Sequence, residues 1–167
     1  MGKLTTGAFL WLAVSSAASV TSAATAKPHV FLLLVDDWGW ANVGMHAPAG
    51  AEREVVTPNI DAVVASGVEL TRGYAYRFCS PSRSALNSGR LPVHVNTQNA
   101  MPDVHNPSDP LGGFAGIPRN MTGLGSVMKE GGYFTAQVGK WDAGMATYDH
   151  TPHGRGYDFS LAYFHHE

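Results

Sequence analysis

Cysteine is nearly missing from this chain: Cys79 stands alone among 167 residues. No intrachain disulfide can form, so a packed state must rest on a hydrophobic core, which a chain of this length can bury as one domain. Charge is scarce as well. Charged residues make up 14%, the formal net charge is -2, and there is no basic run, so nucleic acid is not expected as a partner. The 19 glycines and 10 prolines are spread along the sequence without a period, which leaves no repeat, linker or internal boundary. Long apolar runs are also lacking. Ala8 to Val14 follows Lys3 and gives way to small residues ending in Ala24-Thr25-Ala26. That stretch is too short to anchor in a bilayer and reads as a secretory signal peptide over residues 1–26, with no stable membrane span. Export places the remaining domain, residues 27–167, in the secretory pathway.

Exported domains usually pair their thiols, so a lone Cys79 calls for another account: an inert buried thiol, an intermolecular disulfide or a chemical role. The triplet Asn120-Met121-Thr122 is an N-glycosylation acceptor pattern and fits export.

Strand and helix signals alternate. His29 to Val35 is a continuous apolar run ending in Asp36-Asp37, as in a strand buried on both faces of a mostly parallel sheet. Sites in such sheets lie beyond the carboxyl ends of the strands, which is where the two carboxylates fall. Thr57 and Pro58 open a helix with an apolar stripe of Ile60, Val63 and Val64, and Gly67 ends it. A second strand is expected over Glu69 to Tyr76, followed by a helix capped by Ser80, begun at Pro81 and closed near Gly89. Residues 91–118 read as an irregular excursion. A further helix through Leu124, Val127 and Met128 stops at Gly131-Gly132, and Tyr133 to Val138 forms a strand running into Gly139-Lys140-Trp141-Asp142. The expected class is α/β.

Cys79 therefore falls at a helix N-terminus, where free N–H groups and the positive dipole end favour an anion. Arg83, one turn on, adds a guanidinium suited to oxyanions. A thiolate there would be reactive. By itself, Asp36-Asp37 is equally a solvated turn or a helix cap.

The run Cys79-Ser80-Pro81-Ser82-Arg83, continuing to Leu86-Asn87-Ser88-Gly89-Arg90, resembles the signature of type I, formylglycine-dependent sulfatases. The resemblance covers about residues 28 to 167 and implies the N-terminal part of an alkaline-phosphatase-like domain, a mixed, mostly parallel sheet flanked by helices, here truncated. It implies an arylsulfatase-like sulfuric ester hydrolase. In that family a formylglycine-generating enzyme oxidises the cysteine to an aldehyde; after hydration one hydroxyl attacks sulfur and the other lets the intermediate expel sulfate. Asp36 and Asp37 resemble carboxylates that bind calcium beside that residue, with modified Cys79 also reaching the metal. Hard oxygen ligands suit that ion. Gly139-Lys140-Trp141-Asp142-Ala143-Gly144 resembles a segment whose lysine contacts sulfate, which makes Lys140 catalytic with Cys79 and Arg83. Where the family has histidine this chain has Asp142, a possible proton acceptor from the hydrated aldehyde and a fourth catalytic candidate. His150, His153 and His165-His166 read as solvated loop residues, and Thr151 to Asp158 resembles a structural segment. The implied substrate is an aryl or carbohydrate sulfate, and the implied compartment is extracellular, periplasmic or lysosome-like. Two other readings fit the same residues: a non-catalytic sulfatase-like module, and a phosphonate or phosphate ester hydrolase of the same superfamily.

Overall fold

The computed structural model describes residues 26–51, 54–95 and 116–164. The leader assigned to residues 1–26 lies outside the described residues but for its last position, as do His165-His166 and residues 96–115 of the expected excursion. The chain divides into two units, 1–34 and 35–167. In the first, residues 26–34 form no regular element and their apolar side chains are exposed, Phe31 at 93%. The strand expected from His29 to Val35 is therefore not formed. A central strand needs backbone partners along both edges, and the one ladder among the described residues lies elsewhere. No described helix is long and apolar enough to cross a membrane.

The second unit contains the helices and the sheet. Helix α1 spans Pro58–Ala65, with Pro58 at its first position and Thr57 at the cap. The Thr57 hydroxyl accepts a hydrogen bond from Gly44 N at 2.8 Å and donates to Asp61 Oδ1 at 2.9 Å, so it ties the helix to the preceding turn and caps no helical N–H. Its stripe is shallow, with Ile60 and Val64 half-buried and Val63 exposed. The strand expected from Glu69 to Tyr76 is absent too. That segment holds a turn at 71–72, and Leu70 and Tyr74 are exposed. Alternation alone stabilises nothing when neither an edge nor a face is covered.

Helix α2, Cys79–Ser88, starts two residues earlier than its sequence signals indicate, because Phe78 is the cap residue and Pro81 falls inside the first turn, where its missing N–H costs nothing. Gly89 ends it in the left-handed conformation at φ 66°, its N–H donating to Ala85 O at 2.8 Å. α2 packs against α3 (Pro92–Val95) and α4 (Leu124–Glu130). Strand β1, Ala136–Lys140, pairs in parallel with β2, Phe159–Tyr163, in the register Ala136↔Phe159 to Lys140↔Tyr163. β1 begins later than the sequence indicates, because Thr135 N and Oγ1 donate to the Asp158 carboxylate at 3.0 and 3.1 Å before the ladder starts.

The core lies just beyond β1. Ile117, Trp141 and Ala143 are buried, with Met121, Tyr157 and Ala162 against them. The Trp141 indole N–H is shared between Gly144 O and His150 O, both at 2.9 Å, and its ring meets the edge of Tyr157 at 5.9 Å. Tyr157 in turn donates its hydroxyl to Asn87 Oδ1 of α2 at 2.9 Å. Its ring presses on Gly125 of α4, where a Cβ would come within 2.8 Å of Tyr157 Cδ2. The segment 151–158, expected to be structural, joins these elements through Arg155. That guanidinium is 5% exposed and donates to Met121 O at 2.6 Å and to Pro118 O and Arg119 O at 3.4 Å. Burial, with Arg90 nearby, lowers its pKa. Arg155→Met should lower the unfolding free energy by about 1–3 kcal/mol, because it removes the donor from three part-buried carbonyl contacts. Chemical denaturation of the chain checks this, with Val68→Ala, an exposed position, as the silent control.

Candidate active site

The carboxyl end of β1, the start of α2 and the turn at 36–37 meet at one place. Cys79, the first residue of α2, points its thiol at Asp36 Oδ1 (3.5 Å) and Asp37 Oδ1 (3.9 Å). Sγ and one oxygen from each carboxylate all lie within 4.8 Å of one another. Lys140, the last residue of β1, is 6% exposed at its side chain and reaches Asp36 Oδ2 at 2.7 Å. Arg83 divides its guanidinium: Nη1 donates to Lys140 O at 2.7 Å, and Nη2 stands 3.4 Å from Asp36 Oδ1. Three residues that the sequence assigned to two separate motifs, Cys79, Arg83 and Lys140, thus converge on Asp36.

Asp142 joins the same group from behind. It is fully buried, takes the Ser80 hydroxyl on Oδ1 at 2.9 Å, and holds Oδ2 4.0 Å from Lys140 Nζ. Ser80, read from the sequence as a helix cap, lies inside the first turn and turns its side chain to Asp142 instead. Spacing gave no signal for that bond, because the partners are 62 residues apart. His150, expected to be solvated, is buried; its Nδ1 lies 2.9 Å from Thr147 Oγ1 and accepts Thr147 N at 3.2 Å, closing a short turn beside Trp141. His153 is exposed, as read.

Among the described residues, two non-glycine positions have positive φ, Asp37 at 50° and Asp142 at 49°, and both belong to this cluster. Such backbone is uncommon outside glycine and gathers where a fold must aim a side chain.

The electrostatics follow from the contacts. The Lys140 hydrogen bond holds the Asp36 carboxyl below its usual range, with the Cys79 thiol and Arg83 assisting against partial burial. Burial alone would lower the Lys140 pKa, but its bonds to Asp36 and Cys79 outweigh that and raise it. For Cys79, burial pushes the thiol up and the Asp36 carboxylate adds to the effect, against Lys140. The sequence pointed to a reactive thiolate at a helix N-terminus; in the folded chain burial and Asp36 raise the thiol's pKa, which disfavours the thiolate. Three carboxylates face two cations, so the cluster attracts a further cation.

Its donor set fits calcium on one condition. Two carboxylates are hard ligands, whereas sulfur is a soft one that calcium disfavours; an oxygen in place of Sγ would make the set uniform. The same replacement would exchange a thiol for an oxygen nucleophile.

Comparisons with known proteins identify the family. Mouse (Mus musculus) arylsulfatase J is 34% identical over 137 residues, which is 82% of this chain and 21% of that protein. Dog (Canis lupus familiaris) N-acetylgalactosamine-6-sulfatase is 36% identical over 154 residues, 92% of this chain and 28% of that one. Among solved structures, Ps i-CgsB superposes with a TM-score of 0.61 at 32% identity, over 76% of this chain and 26% of its own. The chain thus spans less than a third of the length of each of these relatives, and its α/β architecture is part of their alkaline-phosphatase-like fold. The sequence pattern that defines the family described as Sulfatase matches residues 28–167, from before the acidic turn through both strands, and on that match the chain belongs to the sulfatase family.

Proposed function

We propose that this chain forms the nucleophile side of a sulfate ester hydrolase, residues 27–167 being the N-terminal portion of its catalytic domain behind a leader over 1–26. In this reading Cys79 is converted to formylglycine by a formylglycine-generating enzyme in the secretory pathway. The observation that carries it is the placement of Cys79 Sγ at the start of α2, between two carboxylates and beside Lys140 and Arg83. Once hydrated, the aldehyde supplies one hydroxyl to attack sulfur and a second to release the product. Asp36, Asp37 and the oxygen on residue 79 would hold calcium, which supplies positive charge to polarise the sulfate oxygens.

The chain's own residues divide the remaining work. Lys140 is the cation free to swing from Asp36 to a sulfate oxygen, since its ammonium makes a simple charge contact rather than a fork. Arg83 holds the Lys140 backbone and Asp36 in place while adding positive potential, and the free N–H groups of the first turn of α2 face the same anion. Asp142, braced by Ser80, is the proton acceptor for the hydrated aldehyde. Aryl and carbohydrate sulfates are the substrate class, as the names of the similar sulfatases would have it.

Three outcomes test this reading. Trypsin should release Phe78 to Arg83 with aldehyde in place of thiol when the chain is made in a sulfatase-competent host; an intact thiol in that peptide overturns the proposed nucleophile. Calcium titrated calorimetrically into the converted chain should bind with affinity that falls about tenfold or more in Asp36→Asn and in Asp37→Asn. Because Lys140 depresses the Asp36 pKa below 3.8, the carboxylate charge is present above that value and lost only as pH falls further, so binding should hold from neutrality down to about pH 5. In the assembled catalytic domain, aryl sulfate but not aryl phosphate should be hydrolysed, and Lys140→Ala should lower kcat by about 10²–10³. Equal loss on both esters, or turnover of phosphate alone, favours a phosphoester hydrolase.

A further inference from the structure

The turn at Asn120 lies apart from the Cys79 cluster, and its chemistry is not used by the hydrolytic reading. Met121 N donates to Pro118 O at 3.0 Å, which closes a β-turn over Pro118-Arg119-Asn120-Met121 with Asn120 as its third residue. Asn120 is exposed and makes no hydrogen bond with another described residue. Its neighbours are held firmly. Arg155 grips the carbonyls of Pro118, Arg119 and Met121 from below. Arg90, the last residue of the Cys79 signature, donates to Thr122 O at 3.1 Å and to Thr122 Oγ1 at 3.2 Å. Two arginines thus pin the backbone on both sides of one unengaged asparagine amide.

We propose that Asn120 carries an N-linked glycan. The acceptor pattern requires the hydroxyl two residues on, here Thr122, and Asn120-Met121-Thr122 is the one such triplet in the sequence. In the reaction the amide nitrogen attacks the anomeric carbon of a lipid-pyrophosphate-linked oligosaccharide. A C–N bond forms, the C–O bond to phosphate breaks, the nitrogen gives up a proton and the lipid pyrophosphate leaves. In the folded chain the Thr122 hydroxyl accepts from Arg90, and its own O–H remains available to donate. Afterwards the exposed turn gives a bulky polar sugar an unobstructed way out, and neither Arg90 nor Arg155 has to move. The proposal depends on entry into the secretory lumen and not on sulfate chemistry.

The test is expression in a glycosylating eukaryotic host, once with the chain's own N-terminal segment and once with a host leader before residue 27, so that entry is assured in the second case. Enzymatic deglycosylation should remove one mobility step, and in heavy-oxygen water should leave a labelled aspartate in the tryptic peptide Asn120 to Lys129. Asn120→Gln and Thr122→Val should run at the deglycosylated position, and Thr122→Ser should keep the step. An unmodified Asn120 in the leader-fused chain recovered from the lumen overturns the proposal. Formylglycine in the Phe78 to Arg83 peptide of the same sample reports separately on Cys79.

Discussion

The Arg83 guanidinium is the joint on which the rest of the cluster depends. One of its nitrogens holds the main chain of Lys140 at 2.7 Å and another faces Asp36 at 3.4 Å, while its own backbone belongs to α2. A strand end, a helix and an acidic turn are thereby fixed to one rigid, planar, permanently charged group. With the Lys140 carbonyl held from behind, its ammonium can face forward to Asp36. With Asp36 held at both oxygens, Cys79 meets a carboxylate that is already ionised and oriented. A lysine in place of Arg83 could supply the charge but not the two directions.

Much of this was legible in the sequence because it is encoded locally. The α2 segment carries its own proline and its own glycine stop, and the end of β1 is marked by Gly139-Lys140-Trp141. The two strands that failed, His29 to Val35 and Glu69 to Tyr76, were read from apolar content and alternation, which describe what a strand would bury and say nothing about whether a partner is present. Asp36 still reaches Cys79 without that first strand, because the contacts that place it come from Arg83 and Lys140, and Asp37 follows it in the same turn. What stayed hidden was the set of bonds made across long separations by side chains with ordinary local roles. Ser80 reads as a cap and His150 as a loop residue, and only folding turns one to Asp142 and buries the other beside Trp141.

The cluster also acts on the thiol as encoded. Burial and the Asp36 carboxylate both favour its protonated form, against the pull of Lys140.

The backbone at position 142 has a consequence for how the family can vary there. At φ 49° it lies in the left-handed region, which asparagine, aspartate and histidine enter far more readily than branched or bulky residues do. The histidine of the family pattern and the aspartate of this chain both belong to that short roster. Main-chain geometry therefore narrows which side chains position 142 accepts before any question of their chemistry arises, and an exchange within that roster leaves the turn as it is.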